Sequence, residues 1–195
     1  NSYIGVNRNF SEKMARKVLR KNYELKAIDV TKNVYNEFKD YSNIDKMQAI
    51  DINFWLMKDI LLKADRMTMA SSIEGRVPFI DKEVFSVASK LPFDYKVTKE
   101  NTKVALREAA KQVIPTDAYK KKKLGFPVPI REWIKDGAFK EEIEKTINSD
   151  VANRYFNVKF LNKLFNEHLS GKKDNYRKIW TVYTFIKWYQ VFFEG

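Results

Sequence analysis

The sequence has no cysteine, and its 195 residues include a single histidine, His168. Disulfide bonds, thiolate metal sites and a cysteine nucleophile are therefore excluded, and so is a metal site built from several histidines. Glycine and proline are also scarce, with six and five residues. Few turn-forming residues beside many lysines and large apolar side chains favour helices over short strands joined by tight turns.

Long apolar runs are missing as well, because no stretch approaches the roughly 18 residues that indicate a transmembrane helix. The lack of cysteine and of a signal peptide predicts a cytoplasmic protein with no membrane partner. Hydrophobic residues make up 44% of the chain, which is enough for a packed core. The length suits one domain or a large piece of a bigger protein, and the first residue, Asn1, is compatible with a fragment.

Positive charge is in excess: the sequence has 37 Lys and Arg residues and 25 Asp and Glu residues, which gives a net charge of +12. Such an excess permits nucleic acid, an anionic membrane or a phosphorylated substrate as a partner. A well-solvated, lysine-rich surface explains the same excess without any partner. Charge alone therefore leaves these alternatives open.

The apolar spacing predicts a chain of helices and no strand. The predicted N-terminal caps are Ser11, Asp29, Asp81, Asn157 and Asp174. The longest predicted helix covers residues 46–71 and is apolar on more than one face, so burial at the centre is expected. The predicted fold is mainly α, a single helical domain over residues 1–195, with irregular segments at 75–79 and 120–129, where sites tend to lie.

The first segment that suggests chemistry is residues 65–81, which read DRMTMASSIEGRVPFID. Glu74 follows the end of the long predicted helix, and Gly75 permits an unusual backbone angle there. A carboxylate at such a break, flanked by Arg76, could act as a base or bind a cation. A structural ion pair between Glu74 and Arg76 is the simpler interpretation of the same residues.

The second segment is residues 119–130, which read YKKKKLGFPVPI. Four consecutive lysines could form a nuclear-targeting or nucleic-acid patch, or a solvated run of charge. One of them could instead turn inward at Gly125 and meet a polyphosphate. The apolar residues that follow directly anchor the run to the core, which favours the inward orientation.

These segments resemble the asparagine synthetase family. Residues 65–81 are similar to its pattern DRxSMAxSxExRxPFLD, with Thr68 and Ile80 as mild departures. Residues 121–126 resemble its RxKxGF, where Lys123 matches the key lysine, and residues 103–108, KVALRE, resemble its KxxLRE. The match runs in order from about Asp51 to Phe192, and several ordered motifs are more specific than any one alone.

The resemblance implies a fold, a reaction and site residues. The fold would be the helical C-terminal portion of an α/β ATP-pyrophosphatase-type (adenine nucleotide α-hydrolase-like) synthetase domain. The reaction would join aspartate to ammonia through a β-aspartyl-AMP intermediate, using ATP and releasing AMP and pyrophosphate. Glu74 and Lys123 are the implied catalytic residues. The residues implied to bind substrate or ATP are Lys103, Arg76, Arg107 and Asp51.

The family's pyrophosphate loop, SGGxDS, and its N-terminal cysteine have no counterpart in this sequence. ATP and Mg²⁺ are therefore expected in the full-length enzyme, with none bound tightly to this chain, which is predicted to be inactive alone. Ammonia would come from the glutaminase domain of the whole protein, and a homodimer is one expectation for its assembly. A related amidotransferase with another carboxylate substrate and a basic, helical nucleic-acid-binding protein are the open alternatives, as is a purely structural interaction domain.

Overall fold

A computed structural model describes residues 3–6, 8–21, 23–122, 125 and 128–195. Within these ranges the regular structure is helical, and β-type pairing is limited to two isolated bridges, Leu19 with Phe156 and Val97 with Thr102. The mainly α character predicted from the sequence is thus confirmed. Among the described residues, none of the helices has both the length and the apolar composition needed to span a bilayer.

The helices follow one another closely along the chain. The α-helices are α1 (Glu12–Val18), α2 (Ala27–Glu37), α3 (Asn43–Ile50), α4 (Leu62–Met69), α5 (Lys82–Ser89), α6 (Phe93–Lys96), α7 (Val104–Ala110), α8 (Thr116–Lys120), α9 (Ile130–Trp133), α10 (Gly137–Ile147), α11 (Asp150–Tyr155), α12 (Val158–Leu169) and α13 (Tyr176–Tyr189). A π-helix, Asp51–Leu61, joins α3 to α4, and a second π-helix, Gln190–Glu194, follows α13. A 3₁₀ turn, Pro78–Ile80, precedes α5.

Three of the predicted N-terminal caps are confirmed. The side chains of Ser11, Asp81 and Asn157 each accept a hydrogen bond from a main-chain N–H in the first turn of their helix. The prediction that Asp29 and Asp174 occupy the cap positions of their helices was wrong. Asp29 lies inside α2, where its carboxylate accepts from the Lys26 N–H at 2.7 Å, and Asn175 takes the cap position of α13.

The chain divides into two compact units. The first comprises the segments up to Lys63 and from Val128 onwards, and the second is Ala64–Pro127. The core of the first unit lies between α10, α12 and α13, with α1, α9 and α11 around them. Its buried side chains recur at helical spacing along α12 and α13: Leu161, Leu164, Phe165, His168, Ile179, Val182, Tyr183 and Ile186. Burial of these faces stabilises the first unit.

The predicted helix over residues 46–71 is helical in the structure, but the expectation of central burial was wrong. Ala49 and Ile50 are buried in a small second core with Val34, whereas Met57 is 56% exposed and Met67 is 65% exposed. The π-helix is one reason for the difference. Its hydrogen bonds span five residues, so the 3.6-residue spacing used for the prediction does not apply between Asp51 and Leu61.

The second unit has short helices and exposed apolar side chains. The apolar residues along α5 and α7 have helical spacing, but the faces they form are largely open: Val87 is 67% exposed, and Val113, three residues after α7, is 80% exposed. Within the unit α6 and α8 both pack against α7, and the 3₁₀ turn packs against α5. Spacing identifies the apolar face of a helix correctly here, but it carries no information about what covers that face.

A buried tyrosine and a carboxylate connect α10 to α13 in the first unit. The Tyr183 hydroxyl donates to Glu142 Oε1 at 2.8 Å, and Lys187 Nζ lies 3.2 Å from the same oxygen. Burial, together with this donation, raises the pKa of Tyr183 to about 12. Donation from Tyr183 and Lys187 lowers the pKa of Glu142. The fold therefore favours neutral Tyr183 beside ionised Glu142.

This pair predicts a loss of stability in strong base. The unfolded chain releases the Tyr183 proton near pH 10 and the folded chain keeps it to about pH 12, so stability falls between these values. In urea unfolding, the stability difference between wild type and Tyr183→Phe should shrink by roughly 1 kcal/mol from pH 8 to pH 11. Tyr95→Phe, at an exposed tyrosine, is the control and should run parallel to wild type. Parallel curves for Tyr183→Phe would contradict the assignment.

Candidate active site

Glu74 lies just after the turn that ends α4, in the second unit. Thr68 closes this turn: its main-chain oxygen accepts from Ile73 N at 3.0 Å, and its hydroxyl donates to the Ala64 oxygen at 2.9 Å. The left-handed backbone angle of this turn is at Ser72, with φ of 55°, and the freedom that Gly75 permits is not used in this way. The chain reverses immediately after α4, and Gly75 already lies beyond the turn. Glu74 is thus presented by the segment that leaves the turn.

Arg76 contacts Glu74 directly. Its Nη2 donates to Glu74 Oε2 at 3.0 Å, and the two side chains are 82% and 70% exposed. An exposed ion pair of this kind adds little to stability, at most about 1 kcal/mol. The contact is the ion pair that the simpler interpretation of the sequence predicted, and the catalytic role of Glu74 stays a prediction. In this chain the Glu74 carboxylate is therefore accessible from solvent.

Lys103 stands at the N-terminal cap of α7 in an unusual backbone conformation. Its φ of 60° and ψ of 42° are left-handed, which costs a non-glycine residue roughly 1–2 kcal/mol. Two contacts hold the turn: Thr98 N donates to the Asn101 oxygen at 2.8 Å, and Lys103 N donates to the Lys96 oxygen at 2.9 Å. Strained residues of this kind cluster at functional sites, so the position supports the prediction that Lys103 has a role there.

Arg107, one turn further along α7, uses its guanidinium on the main chain. Nε donates to the Thr102 oxygen at 3.1 Å, and Nη2 donates to the Lys121 oxygen at 3.1 Å. Nη1 donates to the Tyr119 oxygen. One side chain therefore connects the turn before α7 to the C-terminal end of α8.

The lysine run begins at the end of α8. Lys120 is the last residue of that helix, and its Nζ lies 6.0 Å from the centre of the Tyr119 ring. Lys121 and Lys122 follow in irregular structure and are exposed. Lys123, the second predicted catalytic residue, lies outside the described residues. The described part of the run thus exposes three ammonium-bearing side chains next to the carbonyl groups that Arg107 binds.

Asp51 belongs to the first unit, whereas Glu74, Arg76, Lys103 and Arg107 belong to the second. The Tyr3 hydroxyl lies 2.8 Å from both carboxylate oxygens of Asp51. Burial and the hydrogen bond to Asp51 raise the pKa of Tyr3 above its ordinary range. Sequence reasoning missed Tyr3, because a partner 48 residues away leaves no local signal. The predicted substrate-binding role of Asp51 stays a prediction beside this structural one.

Comparison with known proteins assigns the family. The family model for asparagine synthase matches residues 3–190 of the chain. The chain belongs to the asparagine synthase family. It is 44% identical over 193 residues to asparagine synthetase (glutamine-hydrolyzing) 1 of Bacillus subtilis. It is 41% identical over 195 residues to a putative asparagine synthetase (glutamine-hydrolyzing) of Mycobacterium tuberculosis, strain H37Rv.

These similarities cover nearly all of the chain and a minor part of each relative. Each alignment takes in 98% of this chain and 30% of the relative. The chain thus spans less than a third of the length of these curated members of the asparagine synthase family. No solved structure is significantly similar to it.

A further cluster of polar side chains in the chain was not predicted from the sequence. It lines a cleft of about 270 Å³ in the first unit, where Arg131 and Asp174 form an ion pair of 2.5 Å. His168 lies behind it, fully buried, with Nε2 3.1 Å from the Arg131 oxygen and Nδ1 3.8 Å from Asp174 Oδ1. His168 belongs to the buried face of α12, and of its two partners Arg131 lies 37 residues earlier in the sequence.

The resemblance in sequence led to the expectation of Mg²⁺ in the full-length protein. Among the described residues, no group of three or more carboxylate or imidazole side chains is arranged to hold a metal ion. The second unit carries basic side chains, Lys103, Arg107 and residues 120–122, together with the carboxylate of Glu74.

Proposed function

We propose that the protein containing this chain is an ATP-dependent, glutamine-hydrolysing asparagine synthetase. A side-chain carboxylate oxygen of aspartate attacks the α-phosphorus of ATP, and the bond from that phosphorus to pyrophosphate breaks. Ammonia released from glutamine then attacks the acyl carbon of β-aspartyl-AMP. The tetrahedral species expels AMP, the nitrogen loses a proton, and asparagine is formed. The similarity over 98% of the chain to proteins named asparagine synthetase carries the proposal.

The residues of this chain have distinct tasks in the proposed reaction. Lys123 stabilises the negative charge that develops on the phosphate oxygens as pyrophosphate leaves. Lys103 adds positive charge from the cap of α7. Glu74 takes the proton from the nitrogen in the second step. Its exposure and its 3.0 Å contact with Arg76 support this role, because a base must reach its substrate and be oriented towards it.

We also propose the wider setting of the chain. It forms the helical C-terminal part of one ATP-pyrophosphatase-type synthetase domain in a cytoplasmic protein. The pyrophosphate-binding loop, the ligands for Mg²⁺ and the glutaminase domain belong to the rest of that protein. The exposed apolar side chains of the second unit, Phe79, Val87 and Val113 among them, support this setting, since a larger domain would cover them.

The proposal predicts that residues 1–195 alone are inactive. The isolated chain should give no aspartate-dependent exchange of pyrophosphate into ATP, because the cradle for the phosphates is missing from it. The whole protein should exchange with aspartate and should form asparagine when glutamine or ammonia is supplied. Glutamate and other carboxylic acids in place of aspartate are the control for substrate identity. Robust exchange by the isolated chain would overturn the division of the site, and preference for another acid would overturn the substrate.

A further inference from the structure

We propose that Arg107 is a positioning residue, which sets how the main chain enters the lysine segment (residues 120–122), and that it is not an ATP ligand. The inference rests on the proposed function for its chemistry and on geometry within the second unit for its structural part. It replaces the expectation from the sequence that Arg107 binds substrate or ATP.

The guanidinium group is held by main-chain carbonyls on two separate pieces of chain. On one side Nε donates to the Thr102 oxygen at 3.1 Å. On the other side Nη1 donates to the Tyr119 oxygen and Nη2 donates to the Lys121 oxygen at 3.1 Å. A planar group with five N–H donors in fixed directions suits this three-way contact, whereas the compact ammonium of lysine cannot reach all three carbonyls at once.

The two pieces of chain that Arg107 connects both carry positive side chains proposed to meet ATP. Thr102 directly precedes Lys103, whose left-handed conformation needs support from its surroundings. Tyr119 and Lys121 flank the point where α8 ends, and Lys123 follows two residues later in the sequence. Loss of Arg107 would release both pieces together, because each is bound to the same side chain.

An ATP ligand would have its donors available for phosphate oxygens. Arg107 is half-buried, and three of its N–H groups already point at carbonyl oxygens. A phosphate could use them only after the end of α8 had been released. The carbonyl groups carry no net charge, so they do not neutralise the positive charge of Arg107 beside the lysine segment. Its contribution to the reaction is therefore through the placement of other residues.

The test uses the whole protein with Arg107→Gln, Arg107→Lys and the control Lys111→Gln, which removes an exposed cation from the C-terminal cap of α7. Endoproteinase Lys-C measures release of the segment, because it cuts after lysine. Arg107→Gln leaves its sites unchanged, and Arg107→Lys adds one at position 107, so only the fragments cut after residues 120–122 are compared. Cleavage after residues 120–122 should be about ten-fold faster in Arg107→Gln, since proteolysis follows the population of the open form. Arg107→Lys should fall between Arg107→Gln and wild type, and Lys111→Gln should match wild type.

Pyrophosphate exchange provides the second measurement. The kcat of Arg107→Gln should fall by about 100-fold, as for a misplaced catalytic group, with less than about a three-fold change in the KM for ATP. Thermal melting followed by circular dichroism shows whether each variant is folded. If Arg107→Gln does not fold, the cleavage and exchange measurements are made on Arg107→Lys.

Three results would overturn the proposal. A large rise in the KM for ATP with unchanged cleavage would make Arg107 a direct ligand. Faster cleavage with unchanged exchange would make its contacts structural only, and unchanged values in both assays would remove the role altogether. Failure of the wild-type protein to exchange pyrophosphate would overturn the proposed function instead, and the cleavage rates would still decide whether Arg107 holds the segment.

Discussion

Glu74→Gln in the whole protein is expected to lower asparagine formation from ammonia by about 10²–10⁴-fold, the usual contribution of a general base. Glutamine has nearly the same shape as glutamate but cannot accept the proton that the nitrogen must lose. Adenylation of aspartate precedes this proton transfer. Aspartate-dependent pyrophosphate exchange should therefore stay within about ten-fold of wild type, as expected for a group needed only in the later step. Ammonia as the nitrogen source keeps the glutaminase reaction out of the measurement.

The matched control is Glu83→Gln, which removes a carboxylate from the first turn of α5 in the same unit. It should leave both assays unchanged, because Glu83 is not assigned to the proposed site. Arg76→Gln tests the orienting contact and should have a smaller effect than Glu74→Gln, since the exposed ion pair is weak. Equal losses of exchange and amide formation in Glu74→Gln would place Glu74 in the first step and contradict its role as base.

Local chemistry explains why much of the helical fold was predictable. A cap such as Ser11 or Asn157 acts on N–H groups within three residues, so the signal and its effect lie in the same short window. The same applies to α10, where Asp136 accepts from the Gly137 N–H and Ile143 and Ile147 are four residues apart. That helix was not predicted, although these residues carry the signal for it.

Features that depend on distant residues were not predictable in the same way. Asp174 accepts from the Tyr176 N–H at 3.4 Å, but it lies one residue before the cap position, which Asn175 takes. Its carboxylate also forms an ion pair with Arg131, 43 residues earlier in the sequence. Met57 is a different case, because it is exposed within a π-helix, to which the 3.6-residue spacing used for the prediction does not apply. At Asp174 a tertiary partner adds to the local signal.

In the candidate site, too, some features were predictable from local sequence and others were not. Ordered motifs identified the segments that contain Glu74, Lys103 and Arg107, and the family assignment agrees with them. The motif gave no indication that Arg107 donates to three main-chain carbonyls, because such contacts require the fold of α7 and α8. The family resemblance implied that Arg107 binds substrate or ATP, and the geometry favours a positioning role.

Lys123→Met is the second substitution with a large expected effect in the whole protein. Methionine keeps most of the length and apolar stem of lysine but removes the charge. Pyrophosphate exchange and asparagine formation should both fall by about 10²–10³-fold, the cost of losing one preorganised group that stabilises transition-state charge. The two losses should be equal, because both assays require adenylation. Glu74→Gln should differ, since it spares the exchange reaction.

Lys122→Met is the control for charge, because it removes an exposed cation from the neighbouring position in the same run. It should keep exchange within about three-fold of wild type, since an exposed charge in water contributes little. A solvated or nucleic-acid-binding run would instead make the lysines interchangeable, because such surfaces respond to the number of charges. Equal effects of Lys122→Met and Lys123→Met on exchange would contradict a specific role for Lys123. A loss confined to Lys123→Met would identify the one lysine whose charge acts on the transferring phosphorus.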